Sequence, residues 1–170
     1  MKPTEAAIAG LLGHSAAMRL VREQIRTLGP LDMTVLIEGE TGTGKALVAR
    51  ALHQASRRSD GPFVALGAAR LATLLVPSRS VGHTPDVYSE APVHGTLFDG
   101  AGGGTLLLDE VGDMPASMQV HLLRLLRERE MPRVGASSAQ SPDVRLLAAT
   151  RSHLDQQVAA GQFREDLFYR

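Results

Sequence analysis

An α/β fold, a parallel sheet with helices on both faces, is predicted by three observations. Short apolar β-type runs alternate with stretches of helical periodicity, a glycine-rich turn joins the first run to a helix, and a later run ends in two acids. The elements follow in order. Met18, Val21, Ile25 and Leu28 recur at helical spacing behind Ser15, a residue suited to an N-cap, so a packing helix runs from there to Gly29-Pro30. Thr34-Val35-Leu36-Ile37 is the first strand, and Leu47, Val48, Ala51 and Leu52 resume helical spacing after the glycines. Phe63-Val64-Ala65-Leu66 and Thr105-Leu106-Leu107-Leu108 read as second and third strands buried on both faces, as parallel strands are. Pro115 is placed to open a helix carrying Met118, Leu122, Leu125 and Leu126. Val144 to Ala149 is a fourth strand, and Phe163 to Tyr169 begins a last helix. Residues 77–94 and 135–142 lack periodicity and read as surface loops.

The bulk numbers bound the function. A chain of 170 residues makes one domain, spanning 1–170, with a real core. Lys plus Arg and Asp plus Glu are both 18, so no broad basic field exists, and direct nucleic-acid binding is not expected. Cysteine is absent, which excludes disulfides and thiolate metal sites and suits a reducing cytoplasm. The sequence shows no signal peptide and no membrane span. The six histidines are too scattered for metal-ligand spacing, and surface or partly buried positions are expected of them.

The chemistry concentrates in two places. Gly39-Glu40-Thr41-Gly42-Thr43-Gly44-Lys45 fits G-x-x-x-x-G-K between a buried strand and a helix, where successive backbone N–H groups and the helix N-terminus cradle phosphate. Lys45 adds a positive charge for the β and γ phosphates. The next position, commonly a Ser or Thr that holds Mg²⁺, is Ala46, so metal is expected elsewhere. Asp109 and Glu110 end an apolar strand at the edge where ligands of open α/β sheets sit. Asp109 is the expected Mg²⁺ residue, acting largely through water, and Glu110 is the expected polariser of an attacking water.

Ordered motifs extend this along nearly the whole chain. They are Leu12-Gly13-His14-Ser15 with Met18, Val35 to Lys45, Leu47 to His53, Gly103 to Pro115, Arg133-Val134-Gly135, Asp143-Val144-Arg145 and Phe163 to Arg170. In these the chain resembles the AAA+ ATPase domain of bacterial enhancer-binding transcriptional activators, the sigma-54 interaction family. The resemblance implies a P-loop NTPase core and a ring, usually hexameric, that hydrolyses ATP between subunits to remodel RNA polymerase carrying sigma-54. It also implies ATP with Mg²⁺ as cofactors. Gly39, Glu40, Thr41, Gly42, Thr43, Gly44, Lys45, Ala46, Asp109 and Thr150 would bind the nucleotide, Glu110 would be catalytic, and Arg164 and Arg170 fall on the arginines that reach a neighbour's nucleotide.

Departures from the family pattern cluster on the parts that convert turnover into work. Ala46 stands where the family has Glu, Gly67 where an Asn holds the catalytic glutamate, and Arg151 where a sensing Asn follows the Thr. The family's Gly-Ala-Phe-Thr-Gly-Ala contact to sigma-54 is replaced by Val81 to Ala91. The family's helical lid, DNA-binding helix-turn-helix and receiver are expected to be missing, and the end at Arg170 looks cut. The leading expectation is an ATP-binding core of a sigma-54-type regulator with weakened hydrolysis. The competing one is a non-catalytic interaction subunit that keeps the nucleotide pocket as a folding and docking element and joins or poisons rings of intact relatives, and a third is a truncated product without function that no longer contacts sigma-54.

Overall fold

The computed structural model describes Ile8 and residues 10–68, 99–130 and 143–170. Helix α1 (Ala16–Leu28) starts as the sequence dictates, with the Ser15 hydroxyl accepting from the Met18 amide at 3.2 Å. It buries Ile25 and packs Met18, Val21 and Leu28 beside it. It ends at Gly29, where a Cβ would come within 2.6 Å of the Ala55 Cβ, so the missing side chain lets the ends of two helices meet. Strand β1 (Val35–Glu38) then leads into α2 (Lys45–Gln54), and β2 (Phe63–Gly67), β3 (Thr105–Asp109) and β4 (Arg145–Thr150) complete a parallel sheet in the order β1-β4-β3-β2. Helix α3 (Ala116–Glu130) precedes β4, and the short α4 (Leu154–Ala159) and α5 (Glu165–Phe168) follow it.

Strand alternation divides the core in two. Leu106, Leu108 and Leu146 face Met118, Leu122, Leu123, Leu126, Leu154 and Leu167 of the later helices and Phe163 just before the last of them. Leu107, Leu147 and Ala149 face Ile25, Ala49, Ala51 and Leu52 of α1 and α2. The sheet is therefore covered on both faces. The expectation that strands two and three are both buried on two faces holds for β3, whose Thr105 to Leu108 are all buried. It fails for β2, where Ala65 and Gly67 are exposed, because β2 is an edge strand of the described sheet. Among the described residues no helix is long and apolar enough to cross a membrane.

At the sheet's N-terminal edge the packing is polar. Arg145 enters β4 buried, only 2% exposed, and its guanidinium donates to the carbonyls of Leu28 (2.9 Å), Gly29 (2.9 Å), Met33 (3.3 Å) and Leu52 (3.3 Å). One side chain thus satisfies carbonyls at the C-terminal ends of α1 and α2. Beside it Arg58 grips the Asp32 carboxylate with two hydrogen bonds, at 2.9 and 2.6 Å, and reaches Asp143. These partners hold the Arg58 proton above its usual range.

Candidate functional site

The opposite, C-terminal edge carries the candidate site. Glu38 lies beside Thr150 in register, and the Gly39 amide continues the pairing by donating to the Thr150 carbonyl at 3.1 Å. The chain then turns sharply. Thr43 donates to the Glu40 carbonyl from its amide (3.3 Å) and from its hydroxyl (2.8 Å), while Gly42 and Gly44 take φ of 86° and 92°. Only glycine adopts those angles without strain. Gly44 is the N-cap of α2, with its carbonyl accepting from both Leu47 and Val48. No side chain caps that helix end, and nothing lies within 4 Å of where a Gly42 Cβ would be. The result is an open cradle of backbone N–H groups on a helix N-terminus.

Lys45 lies across this cradle. Its ammonium donates to the carbonyls of Gly39 (2.9 Å) and Glu40 (3.3 Å) and pairs with Glu110 Oε1 at 3.2 Å, with only 9% of the side chain exposed. Glu110 has φ 55° and ψ 49°, the one non-glycine residue in the left-handed region among those described. Such a conformation costs about 1–3 kcal/mol and persists only where its surroundings enforce it. The enforcement is visible. One carboxylate oxygen takes Lys45, the other takes the Arg151 amide at 2.9 Å, and the Glu110 amide donates to Asp109 Oδ1 at 3.1 Å.

The turn that follows is equally constrained. A Cβ at Gly112 would stand 2.7 Å from the Thr150 hydroxyl oxygen, so only glycine lets this turn pack against the end of β4. Next to it, Asp113 Oδ2 accepts from Arg151 Nη2 at 3.0 Å.

The structure brings Gly39 to Lys45, Asp109, Glu110 and Thr150 together at one edge. Thr150 is fully buried beneath the loop, where its hydroxyl accepts from the Ser152 amide at 3.0 Å. Glu40, Thr41 and Thr43 are exposed, as is Ala46 in the first turn of α2. Gly67 pairs in register with Asp109, is exposed, and has nothing within 4 Å of its Cβ position.

Arg164 and Arg170 are not brought to this cluster. The Arg164 guanidinium is exposed and bound by both oxygens of Asp166 (2.9 and 2.8 Å), which raises the arginine's pKa and lowers the aspartate's. Arg170 lines a cavity of about 230 Å³ with Asp32, Met33, Val144 and Arg145, at the other edge of the sheet. Residues 81–91, which stand in for the sigma-54 contact, and Arg133 to Gly135 lie outside the described residues.

Sequence reasoning missed the contacts of Arg145, Arg151 and Asp113. It also expected no more than partial burial of any histidine. His53 is 6% exposed, with Nδ1 2.9 Å from the Thr105 hydroxyl and its ring beside Phe63. Burial and then the charges of Arg145 and Arg50 push its pKa below 6.5. For Arg145 a signal existed, since a lone charge in the apolar run Val144 to Ala149 of a buried strand demands internal partners.

The family model of the sigma-54 interaction domain matches residues 11–170. The chain belongs to that family. It is 49% identical over 168 residues to the transcriptional regulatory protein ZraR of Klebsiella oxytoca, a match covering 98% of this chain and 38% of ZraR. Against the DNA-binding transcriptional regulator NtrC of Rhizobium meliloti it is 45% identical over 161 residues, covering 94% and 33% of the two chains. The crystal structure of NtrX from Brucella abortus in complex with ADP superposes with a TM-score of 0.70 at 36% identity, over 99% of this chain and 37% of NtrX. The P-loop NTPase domain of the sigma-54 transport activator from E. coli shares the fold, with a TM-score of 0.59 at 24% identity over 93% and 91%. The chain thus spans a little over a third of the length of the curated regulators it matches. These likenesses support the predicted α/β, P-loop AAA+ fold.

Proposed function

We propose that this sigma-54 interaction domain is an ATP-binding AAA+ core that takes part in transcription regulation, with residues 1–170 forming a single large α/β subdomain. The observation that carries this is the pair of Lys45 and Glu110 across an open glycine cradle. Lys45 would hold the β and γ phosphates, and the amides from Gly42 to Ala46 would surround them. The residues fit such a ligand, because a carboxylate already stands where a phosphate oxygen would pair with Lys45. Mg²⁺, bound with the phosphates, would neutralise their charge. Asp109 would hold it largely through water, since among the described residues no group of three or more His, Cys, Asp or Glu is arranged to hold a metal ion. Glu110 would then orient and polarise water.

Arg164 and Arg170 lie away from the chain's own Lys45, which fits a role toward a neighbouring subunit's nucleotide in a ring. The ring, which relatives could share, would regulate transcription in the cytoplasm. Its engagement of RNA polymerase sigma-54 through residues 81–91 would differ from the family pattern. The empty space around Gly67 favours a second reading, a nucleotide-binding interaction subunit in which Glu110 is not coupled to nucleotide state. A titration with ADP tests the main reading. Lys45→Ala should lose about 1.5–3 kcal/mol of affinity, roughly 10- to 150-fold. Equal ADP affinities for the two proteins would refute it.

A further inference from the structure

Gln119 is a buried polar residue that the nucleotide reading leaves unused. It lies in the first turn of α3, the helix whose Met118, Leu122 and Leu123 belong to the core, and it is only 1% exposed. Its amide group is fully engaged. Nε2 donates to the carbonyls of Met114 and Gln162, each at 3.0 Å, and Oε1 accepts from the Arg164 amide at 2.8 Å.

These bonds join two segments that carry different chemistry. Met114 closes the turn that begins at Glu110: its amide donates to the Val111 carbonyl at 3.2 Å, and the Asp113 amide donates to the Glu110 carbonyl at 3.0 Å. The segment around Arg164 is anchored as firmly. Phe163 and Leu167 are buried in the core, and the amides of Gln162 and Phe163 donate to the Gln157 carbonyl at 2.8 and 3.1 Å. The Arg164 side chain, by contrast, is 44% exposed and paired with Asp166. A fully satisfied buried amide makes rigid the parts it joins, whereas a hydrocarbon in its place would fill the space without fixing where Arg164 starts.

We propose that Gln119 is a positioning residue for Arg164. It sets the backbone from which that arginine serves a neighbouring subunit's nucleotide, and it ties that backbone to the turn carrying the chain's own Glu110. This rests on the reading of Arg164 given above and deepens it. A cation that meets charge developing in the transition state governs turnover more than ground-state affinity, so its placement is read in the rate. Loss of the Gln119 bonds therefore acts on the next subunit's site and leaves the chain's own glycine cradle intact.

The test is ATP turnover per folded chain, with folding followed by circular dichroism, together with ADP affinity. Gln119→Met should lower turnover about 10- to 100-fold, the scale of a misplacement near 1 Å, and leave ADP affinity unchanged. Gln119→Glu, whose protonated form keeps an acceptor for the Arg164 amide and a donor for one carbonyl, should recover part of the loss. Leu122→Ala, which shortens an apolar core side chain of the same helix, should keep its turnover per folded chain. Added to Arg164→Ala, Gln119→Met should cost nothing more. An equal mixture of Gln119→Met and Glu110→Gln chains should turn over faster than the sum of the two alone, as a mixture of Arg164→Ala and Glu110→Gln should, because the Glu110→Gln chain offers a well-placed Arg164. Four results each overturn the proposal while leaving the reading of Arg164 standing: unchanged turnover in Gln119→Met, an equal loss in Leu122→Ala, the same fold-loss on the Arg164→Ala background, or a Gln119→Met mixture that gains nothing where the Arg164→Ala mixture gains. If Arg164→Ala turns over like the unmodified chain, or the unmodified chain does not turn over, that reading falls and this inference with it.

Discussion

Replacing Arg145 by Met tests whether one buried cation holds the lower edge of the domain together. The side chain donates four hydrogen bonds, at 2.9 to 3.3 Å, to carbonyls of Leu28, Gly29, Met33 and Leu52. Charge-assisted bonds contribute about 1.5–3 kcal/mol each, yet a buried guanidinium costs several kcal/mol in lost hydration. That cost is visible in the lowered pKa of Arg145, which follows first from its burial. The net loss for Arg145→Met, which leaves the carbonyls without donors, should therefore be about 3–5 kcal/mol. Set against a total stability of about 5–15 kcal/mol, this is a large fraction. In urea denaturation followed by circular dichroism, with a slope of about 2 kcal/mol per M, the midpoint should fall by about 1.5–2.5 M. Lysine should not rescue it well, because one ammonium cannot span two helix ends as a planar fork does. A midpoint within about 0.5 M of the unmodified protein would show that water or relaxation replaces Arg145, and the reasoning would be wrong.

Three further outcomes follow from the site and its surroundings. His53 is buried against Thr105 and Phe63 and faces the charges of Arg145 and Arg50; its pKa is depressed in the folded state, so the unfolded chain binds the proton more readily. Stability should be complete above pH 6.5 and fall as pH drops below it, and His53→Gln should flatten that slope in denaturation curves taken between pH 5 and 8. Glu110→Gln removes the anion that occupies Lys45, so calorimetry should show ADP binding several-fold tighter; weaker binding would mean that Glu110 supports the cradle rather than competing for it. If Arg164 and Arg170 serve a neighbour, ATP turnover per chain should rise with protein concentration, whereas constant specific activity across a hundredfold dilution would place the whole active site in one subunit.

The fold was legible because its signals are local. The N-cap Ser15, the glycines at 42 and 44 and the apolar strand before Asp109 each act on near neighbours in sequence, and the structure shows the cap, the positive φ angles and the strand. The ends of β1 and β4 shifted by one residue, since the pairing of Glu38 with Thr150 depends on a register that no single strand encodes. The exposure of β2 was hidden for the same reason, as edge or centre is a property of the whole sheet. At the site, the residue types were legible and the network was not. Nothing local indicates that the Glu110 carboxylate, 65 residues from Lys45 in sequence, is shared with the Arg151 amide, or that Gly112 is needed to clear the Thr150 hydroxyl. Those facts depend on strand order.

The same topology explains why opposite charges gather at the two edges of the sheet. When every strand is parallel and helices run back between them, helix C-termini collect at the strands' N-terminal edge and helix N-termini at the other. Unsatisfied carbonyls therefore accumulate below, and the chain meets them with a cation, Arg145, drawn from the first residue of β4. Unsatisfied N–H groups accumulate above, at the uncapped start of α2. There the chain supplies Lys45 and no permanent anion of its own within the cradle, only Glu110 held from the side in a strained left-handed conformation. A buried cation that uses all its neighbours is a structural solution. A cradle of donors whose nearest anion is held at a conformational cost is a solution waiting for a ligand, and this asymmetry between the edges is the physical reason to read the upper one as the functional site.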